Sequence, residues 1–107
     1  MKIDYIEFSS PKMAETKAFF ADAFGWTFND YGPEYQELAD AGISGGISAG
    51  ELVPPLVVLK ADDLEAAFAK VESAGAEIIK PIFSFPGGRR FEFREPGGTA
   101  MAVWTEA

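Results

Sequence analysis

At 107 residues the chain is long enough for one domain with a buried core, or for two small modules sharing one core, and too short for more. A net charge of −8, from 17 acidic and 9 basic residues, disfavours nucleic acid, because Arg89–Arg90 is the only basic doublet. With no His and no Cys, Ser–His and Cys–His nucleophiles, Cys/His zinc sites and disulfides are all excluded, leaving carboxylates, Tyr, Lys and Arg to do any chemistry.

The hydrophobic fraction of 48% marks a globular chain. No apolar run approaches a membrane span, and MKIDYIEFSS has no signal-peptide core, so the expectation is a cytoplasmic protein without a membrane partner.

In chain order, residues 2–8 alternate as a strand, with Ile3, Tyr5 and Glu7 on one side and Asp4, Ile6 and Phe8 on the other. Ser10 with Pro11 behind it predicts a helix start. Met13, Lys17, Phe20 and Phe24 recur at helical spacing, and Gly25 supplies a left-handed stop. On that spacing Phe20 and Phe24 belong to the core. Three short strands follow, over 26–30, 34–39 and 43–48. In the last, Gly45 and Gly46 signal a bend, a bulge or a close approach of other atoms to the backbone. Residues 49–55, ending in Pro54–Pro55, read as a connector.

The plan then repeats. Residues 56–61 form a strand. Asp62 and Glu65 read as a carboxylate capping box, and Leu64, Ala67, Phe68, Val71 and Ala74 follow helical spacing up to Gly75. Strands are predicted at 77–80, 89–94 and 99–105. PIFSFPGG reads as a loop carrying Phe83 and Phe85, and Glu95–Pro96–Gly97–Gly98 as a turn. Gly25 and Gly75 lie fifty positions apart. The order is βαβββ twice, which predicts an α+β fold with each helix on one face of its sheet. The modules span about 1–50 and 51–107 of a single domain.

Three segments carry a resemblance to a known family: AETKAFFADAFGW at 14–26, ADDLEAAFAKVESAGAEI at 61–78 and GRRFEFREPGGTAMAVW at 88–104. In this order and spacing the chain resembles the vicinal oxygen chelate superfamily of glyoxalase, bleomycin-resistance and extradiol-dioxygenase-like proteins. The resemblance implies a curved mixed sheet enclosing a cleft, helices on its outer face, and in many members a divalent metal held by His and Glu. Carried over by motif, those ligand positions fall on Tyr5, Val58 and Ala102, which make no such site. The terminal hairpin departs from the family pattern only in turn-compatible ways, with Glu95 for Asp and Thr99 for Asn.

Strand parity puts Glu7 on the Tyr5 face and Glu92 and Arg94 opposite Phe91 and Phe93, aimed at the cleft. Glu37 is the third carboxylate available for a rebuilt metal site. The plainer reading of each, less so for Arg94 next to the hairpin, is a solvated strand residue or half of an ion pair worth under about 1 kcal/mol. Trp104 shares parity with Ala100 and Ala102, so it would line the cleft wall. Tyr5, Tyr35, Phe83 and Phe85 are further lining candidates, against the alternative that they fill the core. Together these residues predict a cofactor-free binding protein for a planar or cationic organic ligand, contacted by Tyr5, Glu7, Glu37, Val58, Glu92, Arg94, Ala102 and Trp104. The alternatives are a lyase, isomerase or dioxygenase on a divalent metal held by Glu7, Glu37 and Glu92, and an interaction module whose cleft is filled by side chains or a second subunit. The resemblance also implies a homodimer.

Overall fold

A computed structural model describes residues 1–107. The elements are β1 (Lys2–Ser10), α1 (Met13–Phe24), β2 (Thr27–Asp30), β3 (Tyr35–Ala39), β4 (Ser44–Ala49), β5 (Leu56–Lys60), α2 (Leu64–Ser73), β6 (Glu77–Phe85), β7 (Gly88–Arg94) and β8 (Ala100–Glu106). This is the predicted α+β order, βαβββ twice. The chain divides into two compact units, Tyr5–Leu56 and Val57–Ala107, the latter including Met1–Asp4. Neither helix is long and apolar enough to cross a membrane.

In the first unit the strands run β2-β3-β4-β1. β4 is parallel to β1, and the other pairs are antiparallel. Side-chain alternation divides the sheet into two unlike faces. One carries Phe8, Leu38 and Ile47, with Ile47 fully buried, and takes α1 through a Phe8–Phe20 ring contact at 5.3 Å. The other carries Tyr5, Glu7, Tyr35, Glu37 and serines.

Two details depart from expectation. Lys12, not Ser10, stands at the N-cap of α1. Pro11 keeps the residue before it extended, so Ser10 stays in β1. Its Oγ accepts from Lys12 N at 2.9 Å and meets Thr16 Oγ1 at 2.7 Å, which still ties down the first turn. Phe24 is not core but 55% exposed. As the last helical residue it packs on Phe19 and Trp26 instead of the sheet. Gly25 is the left-handed stop that was predicted, at φ 73°.

The second unit runs β5-β8-β7-β6, with β5 parallel to β8. Its core is Ala61, Leu64, Ala67, Phe91, Phe93 and Val103, flanked by Leu59, Phe68, Val71 and Met101. These are the inward side of α2 and one parity of β5, β7 and β8, so helix period and strand period bury a single apolar layer between them.

The helix cap is Asp63 and not Asp62, with Oδ1 accepting from Ala66 N at 3.0 Å. Glu65 pairs with Arg89 in place of closing a capping box. β6 continues through the segment predicted as a loop. Pro81 is tolerated there because β6 is an edge strand, and its register shifts twice, between Ile78 and Lys80 and between Lys80 and Phe83.

Candidate functional site

Each sheet buries one face under its helix, so the opposite face is where side chains are placed for other uses. In the first unit, Glu7, Gly46, Glu37 and Asn29 form one row across the strands. Tyr5 lies beside Ser44 and Tyr35 beside Ser48, in the rows on either side. From there the two phenols converge and hydrogen-bond to each other. They do so directly above Gly46, where any Cβ would run into both phenol oxygens. The close approach that Gly46 signalled is therefore made by two side chains. Glu37 is oriented by Asn29, whose Nδ2 donates to it at 2.8 Å. The sequence reading named Tyr5, Glu7 and Glu37 as site residues and Tyr35 as a lining candidate. Asn29 was missed, and its position opposite Glu37 follows only from the β2–β3 register.

In the second unit the face away from α2 holds all five predicted residues of that half. Val58, Ala102, Glu92 and Lys80 make one row; Lys60, Trp104, Arg90 and Phe83 make the next. Arg94 lies beside Ala100 in a third. Val58 and Ala102 are buried. Glu92, with only 13% of its side chain exposed, is 3.0 Å from Arg90 Nη2 and 3.9 Å from Lys80 Nζ. Arg94 departs from the expectation. It is exposed and turned towards the hairpin, donating to the Gly98 carbonyl at 2.9 Å, with Glu77 at 3.7 Å.

Beside the row of Val58 and Ala102 sits a layer of rings and cations. The Arg90 guanidinium lies 5.4 Å from the Phe83 ring centre and 5.9 Å from that of Phe85. Phe85 and Trp104 are 6.3 Å apart. The far edge of Trp104 is anchored by its Nε1, which donates to Asp4 Oδ2 at 2.9 Å. Lys60 Nζ lies 5.1 Å from the same ring and pairs with Glu106, whose hydrogen bond raises the lysine pKa and keeps it charged. These distances fall in the range of cation–π and offset ring contacts.

The residues do not fit the His/Glu metal centre that the family resemblance implies. Val58 and Ala102 carry no donor atom, and the chain has no group of three or more Asp or Glu side chains placed to hold an ion. What the two faces can supply is a hydrogen-bonded phenol pair on one and a stacking layer with fixed charges on the other.

The sequence matches a family model described as the Glyoxalase/Bleomycin resistance protein/Dioxygenase superfamily over residues 2–103. It is 27% identical to the anthracycline biosynthesis protein DnrV of Streptomyces peucetius, over 94% of this chain and 45% of that one. The chain spans less than half the length of the curated relatives it matches. The fold is similar to that of a superfamily member from Vibrio splendidus 12B01, with TM-score 0.76, 14% identity and 98% of each chain covered. It is also similar to the Mn(II)-bound glyoxalase of Novosphingobium aromaticivorans, with TM-score 0.71 and 23% identity over 97% of this chain and 38% of that one.

Proposed function

We propose, on the premise that the chain belongs to the Glyoxalase/Bleomycin resistance protein/Dioxygenase superfamily, that it binds a flat organic molecule without a metal. The carrying observation is the Phe83–Arg90–Phe85–Trp104 layer on the face of the sheet away from α2. Rings and a planar guanidinium offer stacking surface to a flat ligand at little conformational cost. Of the planar and cationic ligands weighed from the sequence, the planar one fits better. Lys60, Lys80 and Arg90 already lie over these ring faces, so an added cation would have to displace one of them. The relative named for anthracycline biosynthesis points the same way, since the anthracycline skeleton is a flat polycycle.

The test is a titration of the Trp26→Phe variant, in which Trp104 is the sole tryptophan, with an anthracycline and a panel of smaller polycycles. Saturable quenching is expected. Phe85→Ala or Trp104→Ala should weaken binding about tenfold, the loss of one well-packed aromatic contact, with affinity for the Trp104 variant read by calorimetry. Absence of saturable binding across the panel, or binding indifferent to both variants, overturns the proposal. Added Mn²⁺, Mg²⁺ or Zn²⁺ should leave affinity and melting temperature unchanged.

A further inference from the structure

With no cysteine, the chain cannot tie its strands together by a disulfide. It does hold two oxidisable side chains in direct contact. Tyr5 on β1 and Tyr35 on β3 hydrogen-bond phenol to phenol across β4. Both are half-buried, held by the sheet yet still accessible. Glu7 and Glu37 flank Gly46 in the row between them. Two negative charges there make it easier to remove an electron from a neighbouring phenol. The third tyrosine, Tyr31, is 66% exposed, and its phenol is bonded to neither of the others.

A phenol that loses one electron and its proton becomes a phenoxyl radical, whose unpaired spin is shared between the oxygen and the ring carbons on either side of the phenol carbon. On Tyr5 and Tyr35 those carbons lie one bond away from the carbons that carry the hydrogen-bonded oxygens. A modest turn of either ring therefore brings two reactive carbons together.

We propose that Tyr5 and Tyr35 are an oxidative modification site, joined by a carbon–carbon bond when a peroxide-fed haem oxidant removes one electron from each. The two ring carbons bond to one another, and the hydrogen that each carried moves to a phenol oxygen, so both phenols are restored. The peroxide takes up the two electrons and the two protons, its O–O bond breaks, and two waters form. The protein ends lighter by two hydrogens. The new bond clips β1 to β3 across β4, closing a loop between positions thirty apart, the role a disulfide fills in chains that have cysteine. The reaction is confined to the first unit, so it is independent of the stacking layer in the second.

The test treats the dilute chain with hydrogen peroxide and a haem peroxidase, and follows intact mass, biphenol fluorescence and peptide mapping. The expected product is a single chain lighter by two hydrogens, with the Tyr5 peptide joined to the Tyr35 peptide and a raised melting temperature. Methionine oxidation adds oxygen and moves the mass the other way, so the two reactions are read separately. Tyr5→Phe and Tyr35→Phe keep the ring and lose only the hydroxyl, and each should abolish the product. Tyr31→Phe should not. Gly46→Ala parts the phenols while keeping all three tyrosines, and should lower the yield several-fold. No bond within the chain, a bond made through Tyr31, or a yield indifferent to Gly46→Ala overturns the proposal. A cross-linked chain that melts no higher than the untreated one overturns the role of the bond as a clip.

Discussion

The Tyr5 and Tyr35 phenols are hydrogen-bonded to one another above Gly46, which separates their rows on β4. The residues are thirty positions apart in sequence, and neither strand pairs directly with the other. What lets them meet is an absent side chain. β4 lies between them, and at position 46 it offers only backbone. A glycine in a strand ordinarily weakens it, and here it holds a place for two phenol oxygens.

Gly46→Ala should therefore part the two phenols and cost about 1–3 kcal/mol, the usual range for overpacking. The rings can swing aside, so the cost should shrink when Tyr35→Ala is present as well. Gly88→Ala should cost more, because its Cβ would meet the Thr105 backbone carbonyl, which has no rotamer to change. Urea unfolding of the three single variants and the Gly46–Tyr35 double variant checks this. Equal costs at the two glycines, or strict additivity at Gly46 and Tyr35, would contradict the geometry.

Asp4→Ala should leave the Trp104 indole N–H without its carboxylate partner. Both residues are partly exposed, so the loss should lie near the lower end for a bond to a charged group, about 1.5 kcal/mol. In the Trp26→Phe background the Trp104 emission should shift on removing Asp4, and ligand affinity should fall because the ring is no longer held edge-on. An unchanged spectrum would mean that this anchor does not exist in solution.

Stability should fall in acid partly through the last hairpin. The Glu95 carboxylate accepts from the backbone N–H of Thr99 at 2.9 Å and of Gly97 at 2.6 Å, and these bonds hold its pKa below the ordinary carboxylate value. Since the folded pKa is the lower one, the unfolded chain binds more protons as pH drops below about 4.3, so this contribution is present above that pH and is lost on acidification through the folded pKa. Denaturant unfolding as a function of pH should give a shallower acid slope for Glu95→Gln. An identical slope in the variant would show that the group is not held below its ordinary value. Asp30, lowered by the Gly32 N–H and by Gln36, has the same sign.

Helical period and the glycine stop after the first helix were legible because they are local. The helical spacing of Leu64, Ala67, Phe68 and Val71 and the left-handed stop at Gly25 are set by neighbours within a few residues, and they stand as expected. Strand parity also carried far. It placed Glu92, Ala102 and Trp104 on one face before any pairing was known, and the register agrees. The cap errors were one- or two-residue shifts with local causes, since Pro11 keeps Ser10 extended and α2 starts from Asp63, which leaves Glu65 free to pair with Arg89. The PIFSF segment was misread because a long-range partner outweighed a local preference, and it became edge strand by pairing with β7.

By itself, then, the sequence determined which residues alternate, where helices stop, and that no imidazole or thiol would do chemistry here, since all of these depend on composition and near neighbours. Tertiary structure alone decided that Tyr5 would meet Tyr35, that Arg90 would lie over Phe83 and Phe85, and that Phe24 would face solvent. The reason is register. A strand's period says which face a side chain takes, but only the pairing of distant strands says what stands beside it.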